Sequence, residues 1–249
     1  MKIGVTNICG KMGKSLMNAA QNDKEVVISA GLSRRNSIEI DNIKVTNNIE
    51  ELINESEILI DFSNPSTCIF LLDHVKETRK KIPIVIGTTG FSDDEKNIIQ
   101  KVSNYLPIVQ DYNMSLGINL ICSLLPKMIE ILHNFDIDIS DKHHRHKIDS
   151  PSGTAKKILN IIKGYGKSDI YNEKIPSNLR SENSVGVTVT RAGGIFGEHE
   201  ISFTSQNENI KISHTAFNRE LFAHGAIKAA KWLIDKPAGL YSMKNVLDL

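Results

Sequence analysis

The chain has 249 residues, of which 40% are hydrophobic and 24% charged, and its formal charge is +1, a balance that gives no global field for nucleic acid or a membrane surface. Its three cysteines, Cys9, Cys68 and Cys122, are odd in number, widely spaced and without a CxxC pair, which argues against a disulfide framework or a cysteine zinc site. No apolar run reaches the ~18–20 residues of a membrane helix, and no signal peptide precedes the first strand-like run, so a cytoplasmic protein of one large or two modest domains is expected.

Taken in order, residues 2–6 read as a buried strand, 7–13 as a turn and 14–20 as a helix. Further strands are expected at 25–32, 58–61, 82–86 and 107–110, with helices at 66–76 and 93–103 between them. Short apolar strands alternating with helices predict a parallel, Rossmann-type sheet, whose ligands sit beyond the carboxyl ends of the strands. The character then changes. A long apolar helix is expected at 116–132, a weakly alternating antiparallel strand at 136–140 and a helix at 155–162. A polar, irregular stretch covers 164–184, strands follow at 185–190, 200–204 and 210–214, and a last helix spans 221–234. The second part is therefore α+β with a mixed sheet, and the predicted fold class is α/β plus this second domain.

The N-terminal strand, turn and helix suit a dinucleotide pyrophosphate, because a glycine turn lets the backbone approach and a helix N-terminus offers N–H groups and a positive dipole end. The match to the G-x-G-x-x-G pattern is imperfect: Gly10 and Gly13 are present, and Asn7 stands where an early glycine is expected. Asn tolerates the left-handed conformation better than most residues. After the second strand comes Ser33-Arg34-Arg35 in place of an acid; neutral plus cationic suits a ribose 2′-phosphate and favours NADPH over NADH, and a solvated basic turn is the bland alternative. Gly87-Thr88-Thr89-Gly90 can lie along a nicotinamide ribose or serve as a simple strand-to-helix connection.

The densest chemistry lies at 143–155, H-H-R-H-K-I-D-S-P-S-G-T-A. Ser152 or a neighbour caps a helix start, and Gly153 and Thr154 present N–H groups to a carboxylate, to which Lys147 adds charge or a proton. His143 or His144 suits a general acid. Zinc on His143 and His146 is opposed by Arg145 and Lys147 beside them, and no metal is expected. The glycine-rich 191–199 segment reads as structural, and Arg219 is a candidate cofactor or substrate contact.

Together these residues resemble the 4-hydroxy-tetrahydrodipicolinate reductase (dihydrodipicolinate reductase) family of lysine and diaminopimelate biosynthesis. The resemblance is carried by Gly10-Lys11-Met12-Gly13, Asp61-Phe62-Ser63, 87–91, Asn113-Met114-Ser115, the whole of 143–155, Gly197-Glu198-His199 and Phe222-Ala223-His224-Gly225-Ala226. It implies that Asn7, Ile8, Cys9, Gly10, Lys11 and Met12 hold the pyrophosphate, and that Ser33 and Arg34 face the adenosine ribose. Gly87, Thr88, Thr89, Asp111, Tyr112, Asn113 and Met114 would line the nicotinamide. His143 would be the proton donor, kept protonated by a carboxylate such as Asp141 or by the substrate's charge, with Lys147 the second catalytic residue. His144, Gly153 and Thr154, with Ser152, would bind a small dicarboxylate. The implied domains are 1–113 with 219–249 for the nucleotide and 114–218 for the substrate, in a homotetramer built through the second domain's sheet. The chain departs from the family at Asn7, Lys11, Ser33 and Asp111-Tyr112. Rival readings are another NAD(P)-dependent oxidoreductase of a small anion, a nucleotide-binding redox sensor without turnover, and a metal-dependent hydrolase.

Overall fold

The computed structural model describes residues 1–33, 39–40, 43–167, 169–171, 180–181 and 183–249. In chain order the elements are β1 (Lys2–Val5), α1 (Lys11–Gln21), β2 (Val27–Leu32), β3 (Glu39–Ile40), β4 (Ile43–Thr46), α2 (Ile49–Asn54), β5 (Ile58–Asp61), α3 (Pro65–Thr78), β6 (Ile84–Ile86), α4 (Asp93–Val102) and β7 (Pro107–Gln110). They continue as α5 (Leu116–Ile131), β8 (Asp136–His143), α6 (Gly153–Lys163), β9 (Asp169–Tyr171), β10 (Ser184–Arg191), β11 (Gly197–Thr204), β12 (Asn209–Ala216), α7 (Glu220–Leu233), β13 (Gly239–Tyr241) and α8 (Met243–Val246). The chain divides into two compact units, 1–116 with 219–249, and 117–218.

The first unit is built on an eight-stranded sheet of order β13-β7-β6-β5-β1-β2-β4-β3. Every neighbouring pair is parallel except the β3–β4 edge. The strands are buried on both faces, which is why they read as continuous apolar runs. On one face, α1, α7 and α8 pack Leu16, Ala226, Ala230 and Met243 against Ile3, Val5 and Ile60. On the other, α2, α3 and α4 pack Leu52, Leu71 and Ile99 against Leu59, Ile84 and Ile108. Truncating a fully buried leucine such as Leu16 would cost about 2–5 kcal/mol.

The alternating sequence of the second unit produces a sheet covered on one side. Its strand order is β12-β11-β8-β10-β9, with β8 parallel to β10 and antiparallel to β11. Ile118, Ile121 and Leu125 of α5 and Ile158 and Ile162 of α6 pack on Ile137, Ile139, Val185, Val187, Ile201 and Phe203. The strand expected at 136–140 is longer than its apolar alternation suggested: it runs through His143, with the burial alternation continuing onto Asp141 and His143. Six short elements, β3, β4, α2, β9, β13 and α8, carry no periodicity that the sequence shows.

Candidate active site

In the first unit, the parallel strands bring their carboxyl ends to one edge. The turn after β1 puts Asn7 in the left-handed region at φ 52°, so the asparagine takes the conformation a glycine usually supplies there. Gly10 caps α1 in extended backbone, with no side-chain cap bond. A Cβ on Gly13 would lie 2.1 Å from the Ile8 carbonyl oxygen, so only glycine lets the first turn of α1 close on the turn that follows β1. A cavity of about 770 Å³ opens here, lined by Asn7, Cys9, Gly10, Leu32 and Ser33 on one side and Asn47, Ser63, Asn64, Thr67 and Phe70 on the other. Its volume lies within the range of small-molecule sites. The free turn of α1 suits a pyrophosphate, and the residues fit a dinucleotide.

One buried carboxylate braces this edge. Asp61 is fully buried and accepts from the hydroxyls of Thr6, Ser63 (2.6 Å) and Thr88 (2.6 Å). Thr88 Oγ1 also accepts from Ser63 N–H at 2.9 Å, so the loops after β1, β5 and β6 are tied through one group. Burial, and then the Asp61 charge and hydrogen bond, push the Cys68 thiol up, making it inert.

The predicted cofactor residues separate by location. Asn7, Cys9, Gly10 and Ser33 line the cavity. Lys11 is exposed and Met12 half-buried on the first turn of α1, whereas the Ile8 side chain is core. Thr88 is buried on Asp61 and Thr89 is exposed, with Gly87 between β6 and them. Asp111 is buried and accepts from the N–H groups of Asn113 (3.2 Å) and Met243 (3.2 Å). Tyr112 is exposed, and the Met114 side chain is buried in the core. Arg219 precedes α7 and is exposed. Arg34 lies outside the described residues. Asn47, Asn64, Thr67 and Phe70 were missed, because single residues on a loop or in the first turns of α3 carry no motif.

In the second unit, the apolar face of the sheet turns polar at one end. Antiparallel register sets Phe203 beside Ile137, Ile201 beside Ile139 and His199 beside Asp141, and β12 adds His214 beside His199. Asp141 is fully buried. Its Oδ2 accepts from Ser152 N–H at 2.8 Å and from Arg191 Nη2 at 3.2 Å. Its Oδ1 lies 2.9 Å from His143 Nδ1 and 3.3 Å from His199 Nε2. The two imidazoles meet edge to face, with centroids 5.2 Å apart. Burial pushes the Asp141 carboxyl up, but the polar groups of His199, Ser152 and Arg191 around it outweigh that and hold the group well below the usual range.

His143 behaves differently from the expectation that a carboxylate keeps it protonated. Burial pushes its pKa down to about 4; Asp141 opposes the shift, while His199, Lys147 and Arg191 add to it. The ring of the ligand-free protein is therefore neutral at pH 7. His143 closes β8, and His144 to Lys147 form a turn rather than a helix, so His143 and His146 do not share a helical face. Asp141, His143 and His199 do offer donor atoms within 4.8 Å of one another, but Arg191 on Asp141 and the charge of Lys147 oppose a dication there.

Lys147 Nζ pairs with Asp149 at 2.8 Å. Ser152 caps α6, its hydroxyl accepting from Ala155 N–H at 3.2 Å and lying 3.1 Å from His199 Nε2. With its N–H on Asp141, Ser152 is a buried residue whose polar groups are taken up within the protein. Gly153 and Thr154 open α6, and the space beside Gly153 is empty; His144 is half-buried after the strand end. Asp141, Arg191 and His199 were not picked out as a set, since they stand 50 and 58 positions apart and meet only through strand pairing.

Residues 1–114 match the family model described as dihydrodipicolinate reductase, N-terminus, and residues 117–247 match dihydrodipicolinate reductase, C-terminus. The chain belongs to the dihydrodipicolinate reductase family. A 4-hydroxy-tetrahydrodipicolinate reductase of Buchnera aphidicola subsp. Baizongia pistaciae is 38% identical over 100% of this chain and 98% of its own length. One from Caldanaerobacter subterraneus subsp. tengcongensis is 39% identical over 96% of this chain and 94% of its own. Among solved structures, dipicolinate-bound dihydrodipicolinate reductase from Paenisporosarcina sp. TG-14 superposes with a TM-score of 0.81 at 20% identity, covering 99% of both chains. The shared fold is thus a nucleotide-type parallel sheet and a separate mixed sheet. No helix among the described residues is long and apolar enough to cross a membrane.

Proposed function

We propose that this reductase reduces 4-hydroxy-tetrahydrodipicolinate to tetrahydrodipicolinate with NAD(P)H, in lysine and diaminopimelate biosynthesis. The observation that carries the reading is the buried Asp141–His143 pair set beside the Lys147 ammonium and the Gly153–Thr154 helix start: one group to move a proton and two to hold carboxylates. The near full-length identity to reductases of that name supports the substrate.

Asn7, Cys9, Gly10, Lys11, Met12 and Ser33 hold the nucleotide, with Thr88 locked in place by Asp61. Gly87, Thr89, Asp111, Tyr112 and Asn113 complete the nicotinamide side. When bound, the reduced nicotinamide supplies the hydride. Lys147, His144 and the first turn of α6 bind a carboxylate of the substrate, where the helix dipole favours negative charge. That charge next to His143 reverses the balance that keeps the ring neutral, so the imidazole takes up a proton and delivers it to the anion that hydride addition creates. Domain roles follow: 1–116 with 219–249 for the nucleotide, 117–218 for the substrate. Assembly into a homotetramer through the second unit's sheet belongs to the same proposal; the residues of β8 and β11 that alternate with the buried ones stay half-buried, which supports a further partner.

The test is NADPH consumption coupled to in situ synthesis of the substrate. The wild type turns over, and His143→Ala lowers kcat about 100-fold or more while cofactor affinity holds; a wild-type kcat in the variant removes His143 from the role. NADPH preference is read in the same assay: Arg34→Ala raises KM for NADPH much more than for NADH, and equal rises rule out a 2′-phosphate contact.

A further inference from the structure

The strand pairing that assembles the acid site also gathers two side chains, His199 and Arg191, that act on no substrate group in the proposed mechanism. Their common target is Asp141. Oδ2 is filled by the Ser152 amide and the Arg191 guanidinium. Oδ1 is faced by two imidazole nitrogens, Nδ1 of His143 at 2.9 Å and Nε2 of His199 at 3.3 Å. Nε2 of His199 also lies 3.1 Å from Ser152 Oγ; because a nitrogen lone pair turned toward an ionised carboxylate would be repelled, the geometry favours a hydrogen on Nε2 of His199, set between Ser152 Oγ and Oδ1, and one on Nδ1 of His143. The His143 N–H does not yet lie along the line to Oδ1, and neither atom forms an aligned hydrogen bond; ligand-free acid–base pairs commonly tighten only in the complex.

The other edge of the His143 ring borders Gly197. A Cβ there would come within 3.2 Å of Nε2, so the glycine keeps that nitrogen uncrowded. Around the pair stand Asp141 from β8, His199 from β11, Arg191 from β10, Ser152 from the start of α6, Lys147 from the turn and, beyond His199, His214 from β12.

We propose that His199 is a positioning residue for the proton transfer: with Arg191 it holds Asp141 so that Oδ1 faces Nδ1 of His143, which commits Nε2, in the notch beside Gly197, to deliver the proton. This rests on the reading of His143 as the donor. In the step, the substrate gains a hydride from the reduced nicotinamide and a proton from Nε2 of the imidazolium. The N–H bond breaks, the substrate C–H bond forms, and the imidazole is left neutral with its hydrogen on Nδ1 until solvent reprotonates Nε2. Without His199, one side of Oδ1 is unfilled, the carboxylate turns, and the ring is free to carry its neutral-state hydrogen on either nitrogen.

The test uses two replacements that differ in which ring nitrogen they mimic. The amide nitrogen of His199→Gln reaches the place of Nε2; that of His199→Asn reaches only the place of Nδ1. His199→Gln is expected to keep kcat within about 3-fold of wild type, and His199→Asn to lose about 10–100-fold in kcat with KM for NADPH unchanged. ¹⁵N NMR of the full-length protein at pH 7 should show the His143 ring as the Nδ1–H tautomer in wild type and in His199→Gln, and mixed tautomers in His199→Asn. Equal losses in the two variants at equal thermal stability would overturn the proposal, as would an unchanged His143 tautomer in His199→Asn. Because the tautomer is read without turnover, it stands apart from His143→Ala, whose retention of wild-type kcat would instead remove His143 as the acid.

Discussion

Asp61 shows how much one side chain does at the nucleotide edge. It is fully buried, and the hydroxyls of Thr6, Ser63 and Thr88 all turn to it. Replacing it with alanine leaves three oriented hydroxyls without their acceptor and unties three strand ends at once. Asp61→Ala should destabilise the protein by about 3 kcal/mol, measured as a lower urea midpoint, since bonds to a charged partner contribute ~1.5–3 kcal/mol and orphaned donors add to the loss. Asp141 is the counterpart in the second unit, with His143, His199, Arg191 and Ser152 around it. Asp61 is the last residue of β5 and Asp141 lies two residues before the end of β8, where the apolar alternation of a core gives way to chemistry.

The start of α1 is the element whose position most depends on a single atom. With only 2.1 Å between a would-be Cβ on Gly13 and the Ile8 carbonyl, Gly13→Ala forces the helix off the turn that follows β1. Overpacking of this kind costs ~1–3 kcal/mol, so the variant should melt earlier and bind NADPH more weakly in a fluorescence titration; unchanged affinity would show that the first turn of α1 does not hold the phosphates. At the same scale, β8 explains the dense cluster at 143–147. The strand delivers Asp141 and His143 to one face, and the turn after it carries Lys147 to Asp149, next to the cap of α6.

At the scale of the molecule, stability should depend on acid through the second unit. His143 has its pKa lowered from 6.5 to about 4, and burial, followed by the charge of His199, lowers that of His214. A histidine held neutral takes up its proton more readily in the unfolded chain. Its contribution is intact above about pH 6.5 and is lost as pH falls toward 4, amounting to roughly 3 kcal/mol for His143. The lowered Asp141 acts further down, losing its contribution as pH falls through and below the carboxylate range. Calorimetry from pH 7.5 to 4.5 should show a falling Tm, and His143→Gln should flatten the fall; an identical slope would mean that His143 is not the group being titrated.

The sequence by itself determined the α/β character, the parallel pairing of the first sheet and the gathering of cations and imidazoles at 143–155. Those features are local: apolar runs report strands buried on both faces, Asn7 and Gly10 report a turn, and 143–155 lies within one strand end, one turn and one helix start. Short elements such as β4 and β13 stayed hidden because a few residues carry no periodicity. The neutrality of His143 and the setting of Asp141 among Arg191, His199 and Ser152 were decided by tertiary structure. A pKa depends on burial and on charges brought from strands β10 and β11, and strand pairing, which joins residues far apart in the chain, is what brings them.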